Sequence, residues 1–330
     1  MINSIISLNP TIMPWVLLVI GFAALVKGAD FFVDGAASFA RKLGISAAIV
    51  GLTIVAMGTS APEAAVSITA GVQARFFGAT EAADMAVGNI LGSNLFNLLF
   101  ILGVCMMIKP IPTSFDSLKR DFPWALFSTI LFIPMILDGK LSLIEGIILV
   151  TLFAGYIGWM IYKSIKNREQ AADDTKLMPI SKSLILLGIG LAMIILGGQF
   201  VVRSAERIAL DLGMDGTLVG LTICAIGTSL PELVTSVVAS RKGESELAVG
   251  NVIGSNIFNL LFILGTTVVI SPISVDISML TDTIILLIAT ALVMFFSFTK
   301  MQCDRKEGII IFTAYIGYTV YIILRAYGLI

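Results

Sequence analysis

Apolar residues in this chain run in long stretches with few charges, instead of recurring every three or four positions opposite a polar face. A helix rising about 1.5 Å per residue needs about 20 apolar residues to cross a bilayer core. Ten stretches approach or exceed that length: 12–33, 45–72, 84–108, 122–138, 142–162, 182–209, 217–240, 246–270, 280–298 and 307–327. The pattern predicts an all-α polytopic membrane protein with ten transmembrane helices. The longest polar interval, 163–181, reads KSIKNREQAADDTKLMPIS and is expected to be a solvated linker. It divides the chain into residues 1–162 and 182–330, with five stretches in each. The first stretch lacks a basic run before it and a clear cleavage site after it, so it reads as a retained helix.

Composition agrees. The chain is 57% hydrophobic and 13% charged, where a soluble domain carries about 25% charged residues. That excludes an ordinary water-soluble enzyme. A net charge of −1, from 21 basic and 22 acidic residues, leaves no nucleic-acid footprint. There is no histidine, which removes His-ligated metals and His-based triads, and Cys105, Cys224 and Cys303 lie too far apart for a CxxC motif. Nothing pairs a nucleophile with a base, so no enzymatic activity is expected.

Basic residues flanking the stretches set the expected orientation. Fifteen fall on the linker side, among them Arg41, Lys42, Lys119, Arg120, Arg241 and Lys242; five fall on the other, namely Arg75, Lys140, Arg203, Arg207 and Arg325. The linker side is then cytoplasmic and both termini lie outside, in a plasma membrane or a Gram-negative inner membrane.

The two halves repeat each other. Residues 51–63 read GLTIVAMGTSAPE and residues 220–232 read GLTICAIGTSLPE, with ten of thirteen positions identical. Residues 86–103 and 248–265 read AVGNILGSNLFNLLFILG and AVGNVIGSNIFNLLFILG, with fifteen of eighteen identical. Shared membrane composition would match apolar letters but not Gly, Thr, Ser, Pro, Glu and Asn in order. Because five is odd, the second half enters from the opposite face, so the chain is expected to form two inverted five-helix repeats. That architecture is used by alternating-access transporters, whose sites lie near mid-membrane.

Gly58 and Pro62, and likewise Gly227 and Pro231, are predicted to break the helices of the second and seventh stretches. Unpaired carbonyls in lipid cost several kcal/mol unless something else binds them. Around each break stand further oxygen donors: Thr59, Ser60 and Glu63 in the first half, Thr228, Ser229 and Glu232 in the second. Carboxylate, carbonyl and hydroxyl are what a hard cation prefers. A buried ionised Glu costs roughly 3 kcal/mol or more, and no Lys or Arg lies in the same segments. Lys27 can pair with Asp30 and Asp34, and Arg203 with Glu206, at helical spacing. Two readings of the glutamates remain open here: ligands of a mobile cation, or protonated side chains hydrogen-bonded at helix kinks. In the second motif, Asn89, Ser93 and Asn97, and Asn251, Ser255 and Asn259, recur every four residues as a polar stripe. Asn89, Asn94, Asn251 and Asn256 read as helix–helix glue.

The duplicated GTSxPE and GSNxFN blocks resemble the two alpha-repeats of the calcium/cation antiporter superfamily, most closely its prokaryotic sodium/calcium exchanger branch. The resemblance covers nearly the whole chain. It implies stretches 2, 3, 7 and 8 around the ion sites, and exchange of cytosolic Ca2+ for incoming Na+. Glu63 and Glu232 match the central acidic pair; Thr59 and Thr228 the threonines beside it; Ser60, Ser229, Ser93 and Ser255 the sodium ligands; Asn97 the family's Asn. Ala56 and Ala225 match positions whose carbonyls help form outlying sodium sites. At Asn259 many relatives carry Asp, so this site is less acidic, which leaves the Na+:Ca2+ ratio open and weakens any K+-coupled mode. The expected substrates are Ca2+ and Na+, with lipid as surroundings, no resident cofactor and no implied protein partner. The moving part is expected to be stretches 1 and 6. Ca2+/H+ exchange by the same fold is the alternative; a channel is disfavoured because two buried anions form a deep trap.

Overall fold

The computed structural model describes residues 11–78, 80–112, 117–166, 178–214 and 225–327, with positions 2, 6, 9 and 329. Most of the expected linker, 167–177, and the Gly220–Cys224 part of the second GTSxPE block lie outside the described residues. Helix α1 runs Met13–Leu43. Next come α2 (Ala47–Thr59) and α3 (Ala61–Phe77), bent by 52° at their junction. The helix α4 (Thr80–Leu95) continues through a π turn, Phe96–Ile101, into α5 (Leu102–Ile108). Helices α6 (Phe122–Met135) and α7 (Leu143–Lys166) complete the first half. The second half holds α8 (Ile180–Asp211), α9 (Ala225–Thr228) and α10 (Leu230–Lys242). Then α11 (Ser245–Ile257) passes through a π turn, Phe258–Ile263, into α12 (Leu264–Ile270), before α13 (Ser278–Lys300) and α14 (Arg305–Ala326). Among the described residues seven helices are long and apolar enough to cross a membrane, or eight if the bent α2–α3 pair counts as one.

The first helix reaches ten residues past the end of its apolar stretch. Small residues explain this: Gly28, Ala29, Gly35, Ala36 and Ala37 keep a buried face beyond the charges at Asp30 and Asp34. The helix ends at Gly44, whose φ of 64° is the left-handed conformation glycine adopts at little cost. Along α1 and α8 the backbones nearly touch. A Cβ on Gly21 would lie 2.8 Å from the Gly197 carbonyl, one on Gly28 2.9 Å from the Gly190 carbonyl, and one on Gly35 2.8 Å from the Ser183 carbonyl. The contacts step by seven residues in opposite directions along the two helices, so the helices are antiparallel and meet on one small-residue seam. Their buried residues, with Val50, Val55 and Val238, form a hydrophobic cluster separate from the larger core.

The larger core surrounds the GSNxFN helices. The windows within Ala86–Ile108 and Ser245–Ile270 are each 78% buried, against 22–39% for the other apolar helices. In both, the π turn brings an aromatic pair into a parallel stack, Phe96 on Phe100 at 4.7 Å and Phe258 on Phe262 at 4.9 Å. Two short antiparallel ladders tie the halves together: β1 (Ile111–Pro112) pairs with β4 (Gln302–Cys303), and β2 (Lys140–Leu141) with β3 (Ile273–Ser274). Hydropathy does not reveal two-residue strands. The repeated Glu145 and Glu307 have a local structural role. Each caps a helix start, Glu145 accepting from the Ser142 N–H at 2.7 Å and Glu307 from the Asp304 N–H at 2.7 Å.

One expected pairing is corrected. Lys27 lies 3.7 Å from Asp30, but Asp34 is bound at 2.8 Å by Lys242, which also reaches Asp30 at 3.3 Å. Lys242 ends α10 and lies against α1, a meeting that spacing along one helix cannot reveal. Arg203 pairs with Glu206 as expected.

Candidate functional site

The chain breaks where Gly and Pro predict. After Thr59 the backbone leaves helical geometry at Ser60 (φ −80°, ψ 10°) and restarts with Pro62 in the first turn of α3. The second half does the same at Ser229 (φ −91°, ψ 7°), before Pro231 in α10. Each restart puts a glutamate in a helix's first turn, Glu63 in α3 and Glu232 in α10. Free backbone N–H groups there carry a partial positive charge that favours a carboxylate.

The breaks face each other, and their side chains cross over. Ser60 donates to Glu232 Oε1 at 2.7 Å, and Ser229 donates to Glu63 Oε1 at 2.9 Å. Both glutamates are at most 1% exposed. Among the described residues no lysine or arginine reaches either of them, and no group of three or more acidic or sulfur ligands occurs. The second oxygen of each, Oε2, has no hydrogen-bond partner. Among the described residues nine more buried oxygens share that condition, and five of them lie on the duplicated motifs: Ser93 Oγ, Ser255 Oγ, Asn97 Oδ1, Asn259 Oδ1 and Thr228 Oγ1. A buried polar atom left unsatisfied costs about 1–3 kcal/mol, more if charged. Seven of the eleven such atoms fall on the duplicated motifs, a concentration that a purely structural core would pay for without return. They are also a set of hard oxygen donors with two acidic members.

The motif asparagines tie the helices together as expected. Thr59 donates to Asn251 Oδ1 at 3.0 Å, and Asn251 donates to Ser236 at 2.9 Å. Asn89 donates to Ser67 at 3.4 Å. Asn94 and Asn256 bond across the halves, each donating to the other's backbone carbonyl, at 3.2 and 3.0 Å. The Ala56 carbonyl accepts from the Ser60 N–H at 3.0 Å and lies 3.3 Å from Thr59 Oγ1, whose single proton goes to Asn251. Ala225 opens α9, and its side chain lies outside the described residues.

The two breaks differ in access. Thr59 is fully buried and bonded, whereas Thr228 is half-buried on the wall of a cavity of about 550 Å3. Pro62, Gly198, Gln199, Gly227 and Pro231 line it too, with Arg203 and Glu206 among the walls. Among the described residues no cross-helix ion pair closes this side; Arg203 and Glu206 bond within α8. The Lys242 pairs, and Arg41 to Glu244 at 2.8 Å, instead join α1 to the far end of α10.

Comparison with known proteins gives consistent results. The family model described as sodium/calcium exchanger protein matches residues 13–162 and 182–324. The putative antiporter CaxA of Alkalimonas amylolytica is 39% identical over 92% of this chain and 96% of its own. The sodium/calcium exchanger MaX1 of Methanosarcina acetivorans is 32% identical over 93% of this chain and 97% of its own. A solved structure of the sodium-calcium exchanger NCX_Mj, soaked with 2.5 mM Na+ and 1 mM Sr2+, superposes with a TM-score of 0.81 at 30% identity, covering 94% of this chain and 98% of that one.

Proposed function

This chain belongs to the sodium/calcium exchanger protein family and is a multi-pass membrane protein, and on that premise we propose that it exchanges Ca2+ for Na+ by alternating access. The cations compete for one site built from Glu63, Glu232, Thr59, Thr228, Ser60, Ser229, Ser93, Ser255, Asn97 and Asn259, with the Ala56 and Ala225 carbonyls at its edges. The observation that carries this reading is the pair of buried glutamates, each with one oxygen held by the other half's serine and one left without a partner. Two carboxylates match the charge of one Ca2+. Two or three Na+ can occupy the same oxygens one apiece, but not together with Ca2+, and that exclusion couples the fluxes. An empty site is anionic and resists being sealed into the membrane, so the protein changes face when loaded.

In this proposal the chain has ten spans in two inverted repeats, residues 1–162 and 182–330, joined by a cytoplasmic linker at 163–181, with both termini outside. The distribution of basic residues, the antiparallel seam of α1 and α8, and the two ladders between the halves support it. The test is uptake of radiolabelled calcium into proteoliposomes under Na+, K+ and H+ gradients in turn. The expected result is uptake driven by Na+ alone. Uptake driven by a pH gradient without sodium would establish Ca2+/H+ exchange instead.

The moving part in this reading is α1 with α8, which are locked to each other along their small-residue seam and whose buried residues, with a few from α2, α10 and α11, form a cluster separate from the larger core. Lys242 holds α1 to α10 on the side away from the cavity, favouring the cavity-open face. Partly exposed ion pairs of this kind are worth up to about 1 kcal/mol each. Lys242→Met should therefore lower the open population severalfold. A cysteine at Gln199, in the cavity wall, reads this out: alkylation should slow in the Lys242→Met background, and an unchanged rate would show that Lys242 does not bias the equilibrium.

A further inference from the structure

A primary amide can present either its oxygen or its N–H2 group to a cation, and only the oxygen attracts one. Asn97 and Asn259 are at most 1% exposed, and each has its Oδ1 without a partner. What fixes that orientation is a second pair of asparagines. Asn259 donates from Nδ2 to Asn94 Oδ1 at 3.0 Å, and Asn97 donates to Asn256 Oδ1 at 3.1 Å. Asn94 and Asn256 are fixed in turn, because each spends its own N–H2 on the other's backbone carbonyl, at 3.2 and 3.0 Å. A backbone carbonyl accepts and never donates, so the direction of every bond in the chain is set at that end. Turning the Asn259 amide over would set its oxygen against Asn94 Oδ1, two acceptors face to face in a buried site where neither finds water.

We infer that Asn94 and Asn256 are positioning residues for the transported cation: through paired relays of buried amides they hold the Asn259 and Asn97 oxygens toward the ion. The inference rests on the cation-site reading above and deepens it. It gives the Asn of each GSN triplet a task beyond gluing helices. Each relay crosses between the halves, so an ion ligand carried by one half is aimed by a residue of the other.

The test measures Ca2+ binding by calorimetry on purified, monodisperse protein carrying Asn259→Leu, Asn94→Leu or both. Asn94→Leu removes the acceptor that holds Asn259. A hydrogen bond or ligand contact to a charged group is worth roughly 1.5–3 kcal/mol, so each single change should weaken Ca2+ binding about tenfold or more. The double variant should bind no more weakly than Asn259→Leu alone, because the two side chains act through one oxygen. Losses that multiply, or wild-type affinity in Asn94→Leu, would overturn the positioning role. Wild-type affinity in Asn259→Leu would instead overturn the cation-site reading. If Asn94→Leu fails to fold, Asn94→Asp decides. It keeps an acceptor for Asn259 and gives up the donor, so Ca2+ affinity at or above wild type is expected; a tenfold loss overturns the inference.

Discussion

Proteoliposomes carrying Glu63→Gln together with Glu232→Gln should show no Na+-driven calcium uptake, while the purified variant stays folded. Glutamine keeps the size of the side chain and an oxygen that can accept from Ser229 or Ser60, as each glutamate does at 2.9 and 2.7 Å. What it removes is charge. At a separation of about 4 Å and an effective dielectric near 20, each unit of charge facing another is worth roughly 4 kcal/mol. A Ca2+ ion losing both carboxylates is therefore expected to bind at least about a thousandfold more weakly. Thermal unfolding in detergent should show no loss of stability, because burying two anions without a basic partner is itself costly. Folded double variant with uptake above about a tenth of wild type would refute the carboxylate site. The single variants should fall by similar factors, since the crossed serine bonds are alike on the two sides.

The second large effect concerns packing. Gly254→Val should leave little or no folded protein. A Cβ on Gly254 would stand 2.6 Å from both the Cα and the carbonyl oxygen of Leu52, and 2.9 Å from the Ala56 Cβ. Leu52 lies in the π turn Gly51–Val55 of the broken span, so the obstacle is backbone and cannot rotate away. Gly250 and Gly51 meet in the same way one turn along, with a Gly250 Cβ 2.6 Å from the Ala48 carbonyl. Overpacking typically costs about 1–3 kcal/mol, and more when backbones must separate. Even Gly254→Ala should lower the unfolding temperature measurably, and Val, with two further methyl groups, should prevent α2 and α11 from meeting. Recovery of monodisperse Gly254→Val protein at wild-type yield would show that this approach is not needed for folding.

Both expectations start from letters visible in the sequence and end on something the letters do not contain. Apolar stretches of about twenty residues determine an all-helical membrane protein, because a chain in lipid must satisfy its backbone internally. The paired Gly and Pro determine where the helices break, since Pro62 and Pro231 cannot donate and the chain bends by 52° at the first break. The duplicated motifs determine the donor set. Spacing along one helix also yields local pairs such as Arg203 with Glu206. The same reasoning assigned Asp34 to Lys27 and missed Lys242, because a partner on another helix leaves no periodic trace.

What the tertiary structure alone decides is who meets whom across the halves. Ser60 serves Glu232, 172 positions away, and not the Glu63 beside it. Asn94 holds Asn259 at a separation of 165 positions. The Thr228 side stands next to a cavity while Thr59, its counterpart in a nearly identical motif, is sealed. Near-identical sequences cannot encode that difference locally; it is set by what the rest of the fold packs around each break. Residue types and their spacing set the chemistry available on each helix, and the contacts between helices set which of those groups meet and which stand beside a cavity.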